Sequence, residues 1–129
     1  MKSILIVDDQ AGIRLLLDEL FRKEGYETRL AGNGLEAIQA VREEIPGCIL
    51  LDTKMPGMDG IETLEQLEVL CPEVPVIMMT AYEESELPQG SARRGKVLYF
   101  AKPFDIYEIR NTVNGLLLSD ERTNPAEQK

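Results

Sequence analysis

The sequence predicts an α/β domain built on one doubly wound, five-stranded parallel sheet of strand order 2-1-3-4-5, with helices on both faces. Three observations predict it. Apolar runs at Ser3–Val7, Cys48–Leu51 and Val74–Met79 lack a polar alternation, the pattern of strands covered on both faces. The stretches between strand candidates carry apolar residues at helical spacing. The connections are short, which restricts them to right-handed crossovers between parallel strands. A length of 129 residues suits one domain and is enough for a proper core.

Taken in order, the first strand, Ser3–Val7, ends on Asp8-Asp9. A helix is expected from Gly12 to Glu24, with Ile13, Leu16, Leu17, Leu20 and Phe21 on its apolar stripe, Leu15 off it and Gly25 as the stop. Glu27–Ala31 is a more polar strand, suited to a sheet edge. Asn33-Gly34 turns the chain into a helix over Leu35–Glu44, with Ala37, Ile38 and Val41 inward, and Pro46-Gly47 ends it. Cys48–Leu51 stops abruptly at Asp52, and a loop containing Pro56-Gly57 follows. The next helix covers Ile61–Leu70 (Ile61, Leu64 and Leu67 inward) and closes at Cys71-Pro72. Val74–Met79 leads to Thr80, and Val97–Phe100 leads to Ala101-Lys102-Pro103. Between them Pro88, Gly90 and Gly95 disfavour a regular helix, so a short or irregular one is expected. Asp105 and Glu108 have capping-box spacing and start a last helix from Ile106 to about Leu117. The domain is expected to span 1–118, with 119–129 a polar, disordered tail containing Pro125. This arrangement is flavodoxin-like.

Composition narrows the function. A net charge of −9 argues against a nucleic-acid surface or an anionic membrane as partner. The start of the chain lacks the pattern of a signal peptide and no apolar run reaches membrane-spanning length, so a cytoplasmic protein is expected. Cys48 and Cys71 lack metal-ligand spacing and read as free thiols in a reducing compartment. Histidine is absent, which excludes a His-dependent triad or a His metal site in this chain. If a phosphohistidine takes part in the chemistry, another protein carries it.

Four strand ends converge on one edge of such a sheet, where ligands of open α/β folds bind. They bring Asp8 and Asp9, Asp52, Thr80 and Lys102. Each alone has an ordinary reading, a turn cap or a surface charge. Together they conflict unless something binds, because two carboxylates about 4 Å apart repel by roughly 4 kcal/mol at an effective dielectric of ~20. All-oxygen carboxylate ligation suits Mg²⁺. A lysine and a hydroxyl beside it suit a tetrahedral anion. Metal, anion donors and a carboxylate between them describe phosphoryl transfer to that carboxylate.

These residues resemble the receiver domain of bacterial response regulators, whose fold is called CheY-like. The resemblance is carried by Ile4-Leu5-Ile6-Val7-Asp8-Asp9, Leu50-Leu51-Asp52, Met55-Pro56-Gly57-Met58-Asp59-Gly60, Met79-Thr80-Ala81 and Lys102-Pro103-Phe104. It covers residues 2 to about 118, and within the family the chain is most similar to the single-domain phosphorelay intermediates of endospore formers. The resemblance implies that Asp52 is the phosphoacceptor and that Asp9, Asp52 and the Lys54 carbonyl ligate Mg²⁺, or Mn²⁺ in its place, with Asp8 acting through a metal-bound water. It implies that Thr80 and Lys102 hold phosphate oxygens, that Thr80 and Tyr99 form the switch pair, and that Lys102-Pro103 is a cis peptide. It implies a chain that catalyses its own Mg²⁺-dependent phosphorylation from phosphohistidine without being a turnover enzyme. The donor it implies is a histidine kinase and the next acceptor a phosphotransferase with a four-helix bundle, with the chain itself expected to be a monomer. Gln10, Gly12, Ile13 and Leu16, beside the acidic pocket, with Tyr82, Pro103 and Phe104, are the expected partner surface. Lys54 and Tyr82 flank the approach to Asp52 without offering a carboxylate or amide to orient water, so slow self-hydrolysis is expected. Ala11 and Tyr99 depart from the residues typical of the sporulation subgroup, and 83–95 departs from the family's fourth helix.

Three other readings compete. Gly90–Lys96 has P-loop spacing, but Val97 replaces the Ser or Thr and the loop precedes a strand. A haloacid-dehalogenase-like phosphatase needs its Asp pair spaced by one residue, whereas Asp8 and Asp9 are adjacent. A docking switch, which regulates a target by binding without onward transfer, fits the same motifs.

Overall fold

The computed structural model describes residues 2–52, 60–80, 97–101 and 105–122. Its strands are β1 (Ser3–Val7), β2 (Glu27–Ala31), β3 (Cys48–Asp52), β4 (Val76–Thr80) and β5 (Val97–Ala101). Its helices are α1 (Ala11–Lys23), α2 (Gly34–Glu43), α3 (Gly60–Leu70) and α4 (Ile106–Arg122). The strands form one parallel sheet of order β2-β1-β3-β4-β5, as the alternation of elements predicts. The polar β2 is indeed an edge strand.

The unbroken apolar runs divide their residues between two cores because successive side chains point to opposite faces. Leu5, Val7, Ile49, Leu51, Val76 and Met78 face α2 and α3, meeting Ala37, Ile38, Val41, Leu64 and Leu67. Ile4, Ile6, Cys48, Leu50, Ile77 and Met79 face α1 and α4, meeting Leu17, Phe21, Ile109, Val113 and Leu117. Each of these side chains is buried. Deleting one to Ala from such a packed interior costs about 2–5 kcal/mol. The sheet is therefore held rigidly from both sides, and its C-terminal edge inherits that rigidity.

Helix ends obey local chemistry. Gly25 has φ of +95°, donates its N–H to the Arg22 carbonyl, and lets the Tyr26 N–H reach the Phe21 carbonyl, the paired bonds of a Schellman cap. Asn33 Oδ1 accepts from the Glu36 N–H at 2.9 Å, starting α2. Arg29 caps the other end of α2 by donating to the carbonyls of Ala40 and Glu44. Asp105 Oδ1 accepts from the Tyr107 N–H at 2.8 Å, so Asp105 caps α4 at its second residue, whereas the Glu108 N–H, which the expected capping box would use, goes to the Asp105 carbonyl.

Several boundaries differ from expectation. Leu16 is 46% exposed and leaves the apolar stripe, which is built from Ile13, Leu17, Leu20 and Phe21; Leu15 is exposed as expected. Strand β4 begins at Val76, because the Val74 N–H is taken by the Cys71 carbonyl in a turn and Pro75 has no N–H to give. Helix α4 runs through the first residues of the expected tail to Arg122, since neither Gly nor Pro interrupts Leu116–Arg122. The expected irregular helix between Thr80 and Val97 lies outside the described residues.

Both cysteines are free and buried. Burial pushes the Cys48 thiol from 9.0 up to about 12, only partly offset by its hydrogen bond with the Ile49 backbone. The folded state thus keeps a proton that the unfolded chain releases. The stabilisation is complete below pH 9.0 and is lost as pH rises from there towards 12. Chemical denaturation at successive pH values checks this. Relative to Cys48→Val, the native protein should lose up to about 1.4 kcal/mol per pH unit across that window. Parallel curves for the two proteins would contradict the assignment.

Candidate functional site

Strands β1 and β3 are hydrogen-bonded neighbours with Val7 opposite Leu51. The residue after each of these is a carboxylate, so Asp8 and Asp52 emerge side by side at the C-terminal edge. Asp8 is fully buried, Asp52 is 3% exposed, and Asp9 is exposed to solvent. One oxygen from each of the three lies within 4.8 Å of the other two. Their donor set is hard oxygen only, with one ligand on the open side, which fits Mg²⁺.

The Asp8–Gln10 turn is anchored at several points. The Asp8 N–H donates to the Ala31 carbonyl at 3.1 Å, continuing the β1–β2 ladder. Asp8 Oδ1 accepts from the Gln10 N–H at 2.9 Å, an Asx turn that delivers the chain into α1. Arg14 Nη1 donates to the Asp8 carbonyl at 2.6 Å. Gly32 adjoins it: its N–H donates to Glu36 Oε1 at 2.7 Å. Arg14, Gly32 and Glu36 were not among the residues that the sequence singled out. The only signal for Arg14 is a cation on the first turn of a helix that follows an acidic pair, which is common on helix surfaces.

The other strand ends are level with the acidic group. Asp52 pairs with Met79, so Thr80 stands one residue further along β4, opposite Ala101 of β5. Tyr99 pairs with Met78. Lys102 directly follows β5 and lies outside the described residues, as do Lys54, Tyr82, Pro103 and Phe104. The Lys102-Pro103 peptide is outside them too. Of the expected partner surface, Gln10, Gly12 and Leu16 are exposed and Ile13 is half-buried. All four belong to the beginning of α1 or its cap, directly after the acidic pair.

Comparison with known proteins gives a consistent result. The profile of the response regulator receiver domain matches residues 4–114. Sporulation initiation phosphotransferase F of Bacillus subtilis is 53% identical over 116 residues, covering 90% of this chain and 94% of that protein. The regulatory protein AtoC of Escherichia coli is 40% identical over 91% of this chain, which spans only 25% of AtoC. Among solved structures, a CheY-like receiver domain protein from Methanospirillum hungatei has a TM-score of 0.85 at 29% identity, covering 96% of this chain and 99% of that one. The response regulator TrrA of Thermotoga maritima, solved in complex with Mg(2+)-BeF, has a TM-score of 0.77 at 34% identity, covering 90% and 99%. This chain belongs to the response regulator receiver domain family.

Proposed function

We propose that the chain is a phosphorelay receiver that takes a phosphoryl group from a histidine kinase onto Asp52 and passes it to a histidine of a phosphotransferase. The gathering of Asp8, Asp9 and Asp52 at the strand ends carries this reading. The likeness to a relative named as a phosphotransferase, over nearly its whole length, favours relay over a docking switch and suggests a role in sporulation initiation.

In the forward step an oxygen of the Asp52 carboxylate attacks the phosphorus of a phosphorylated imidazole. The P–O bond forms as the P–N bond breaks, and the imidazole nitrogen leaves with the electron pair. Onward transfer is the reverse: a second imidazole nitrogen attacks and Asp52 departs as a carboxylate. Burial of Asp52 to 3% exposure strips it of water on all sides except the site, so its oxygen meets phosphorus with little solvent to displace. Asp9 and Asp52 would hold Mg²⁺ with the Lys54 carbonyl, and Asp8 would act through a bound water; Mn²⁺ is the natural substitute. When bound, the metal offsets the charge of carboxylates and phosphoryl oxygens together. Thr80 and Lys102 are assigned to donate to phosphoryl oxygens, and Thr80 with Tyr99 to signal the modified state. The place of Thr80 at the end of β4, beside the acidic group, supports its role.

The partner is proposed to be a four-helix bundle that packs on Gln10, Gly12, Ile13 and Leu16, with Tyr82, Pro103 and Phe104 completing the surface. Exposure of Leu16 at 46% supports this. Residues 1–118 are taken as the receiver unit, acting as a monomer in the cytoplasm. Among the described residues no helix is long and apolar enough to cross a membrane.

Asp52→Asn should abolish acid-labile labelling by a phosphohistidine donor, and label on that variant at native yield would overturn the acceptor assignment. Mixing the labelled protein with a phosphotransferase should return label to histidine. Label that stays on Asp52 would favour the docking switch. Mg²⁺ should raise the melting temperature, by the equivalent of about 2.7 kcal/mol at a hundredfold excess over Kd. Asp9→Ala should melt higher than the native protein without metal, because one repulsion is gone, and lose the Mg²⁺ shift. Equal Mg²⁺ shifts in the two proteins would refute the metal assignment.

A further inference from the structure

We infer that Arg14 is the positioning residue of the acidic site: it clamps the Asp8–Asp9 peptide and thereby sets where the Asp9 carboxylate stands. The inference rests on the metal reading above and concerns a residue outside the proposed ligand set.

Asp8 and Asp52 are located by the sheet, but Asp9 is not. It lies beyond β1, its side chain is exposed, and among the described residues no hydrogen bond holds its carboxylate. The peptide that precedes it is a rigid plane that fixes where its N and Cα stand, and so the arc within which its carboxylate can reach the other two. The N–H and Oδ1 of Asp8 are engaged by Ala31 and Gln10. The Asp8 carbonyl, which belongs to the Asp8–Asp9 peptide, accepts a charge-assisted bond of 2.6 Å from Arg14 Nη1, a direct tether on that peptide from outside the turn.

Why Arg14 can do so follows from α1. Side chains on a helix lean towards its N-terminus, so a long side chain on the first turn reaches back to the strand that feeds the helix. The guanidinium then lies over Gly32. A Cβ built on Gly32 would stand 3.3 Å from Arg14 Nη1 and 3.5 Å from Glu36 Oε1. The absence of a side chain at 32 is what makes the slot. Its floor is stiff, because the Gly32 N–H is held by Glu36 and α2 starts at the Asn33 cap immediately after.

Charge and position act in opposite directions here, and that makes the inference testable. A guanidinium bonded to the Asp8 carbonyl repels a divalent cation held by the neighbouring carboxylates, so on charge alone its removal should tighten Mg²⁺ binding. If Arg14 positions Asp9, its removal should weaken binding despite the charge. The measurement is calorimetric titration of the unphosphorylated full chain with MgCl₂, using metal-free melting to verify the fold. Arg14→Ala should raise the Kd for Mg²⁺ about tenfold, in the range of residues that orient metal ligands. Arg14→Lys keeps the charge and a single donor, and should recover part of the loss. Gly32→Val leaves Arg14 in the chain but fills its slot, and should also weaken binding severalfold. An unchanged or lower Kd in Arg14→Ala would overturn the clamp. Should that variant fail to fold, an unchanged or lower Kd in both Arg14→Lys and Gly32→Val would overturn it equally. Native protein that binds no Mg²⁺, or binds it as tightly after Asp9→Ala, would overturn the metal reading and the clamp together. Native binding that is lost with Asp9 but indifferent to Arg14 would overturn the clamp alone.

Discussion

Mutual repulsion among Asp8, Asp9 and Asp52 is the constraint on which the rest of the structure depends. Three carboxylate oxygens within 4.8 Å of one another would separate if the chain allowed it. The chain does not allow it, because two of the three sit at the ends of adjacent hydrogen-bonded strands that carry apolar cores on both faces. To part Asp8 from Asp52 would mean breaking the β1–β3 ladder or shifting fully buried Ile6, Val7, Leu50 and Leu51. Each of those losses is of the same order as the repulsion itself. The sheet thus acts as a clamp that holds the carboxylates together, the arrangement a cation at this edge would neutralise.

The same constraint explains the unequal treatment of the three acids. Asp8 and Asp52 are buried and immovable, whereas Asp9 is exposed on the chain that leaves the sheet. A site made entirely of buried carboxylates would lack an entrance. One made entirely of exposed ones would relax into solvent. Two fixed oxygens and one accessible oxygen give both preorganisation and access.

Much of this was legible in the sequence, for identifiable reasons. A strand covered on both faces writes itself as an unbroken apolar run, and its end is marked by the first charged residue; Val7-Asp8 and Leu51-Asp52 both read that way. Parallel order then brings strand ends together without further information. What could not be read was local and depended on three dimensions. Leu16 fits a helical stripe by spacing, yet the stripe is narrower than the spacing suggests and leaves it exposed. The start of β4 was hidden by Pro75, which is apolar in pattern but lacks the donor a ladder needs. Arg14 escaped because nothing in a sequence tells which surface arginine folds back onto a backbone carbonyl. The role of Gly32 depends on Arg14, so it was hidden with it.

Helix α1 ties these levels into one device. Its first turn meets the acidic site through the Gln10 N–H and the Arg14 guanidinium. Its inner face buries Leu17 and Phe21 against β1 and β3. Its last turn is locked by the Gly25 cap, by the edge-to-face contact of Phe21 with Tyr26, and by the Tyr26–Asn114 bond to α4. On the side towards β2, Asp18, Arg22 and Thr28 form a hydrogen-bonded group. A helix pinned at both ends and on two sides cannot shift without disturbing the peptide between Asp8 and Asp9. The exposed Leu15 and Leu16 and the Arg14 tether to the Asp8 carbonyl thus belong to one helix, held in place at both ends.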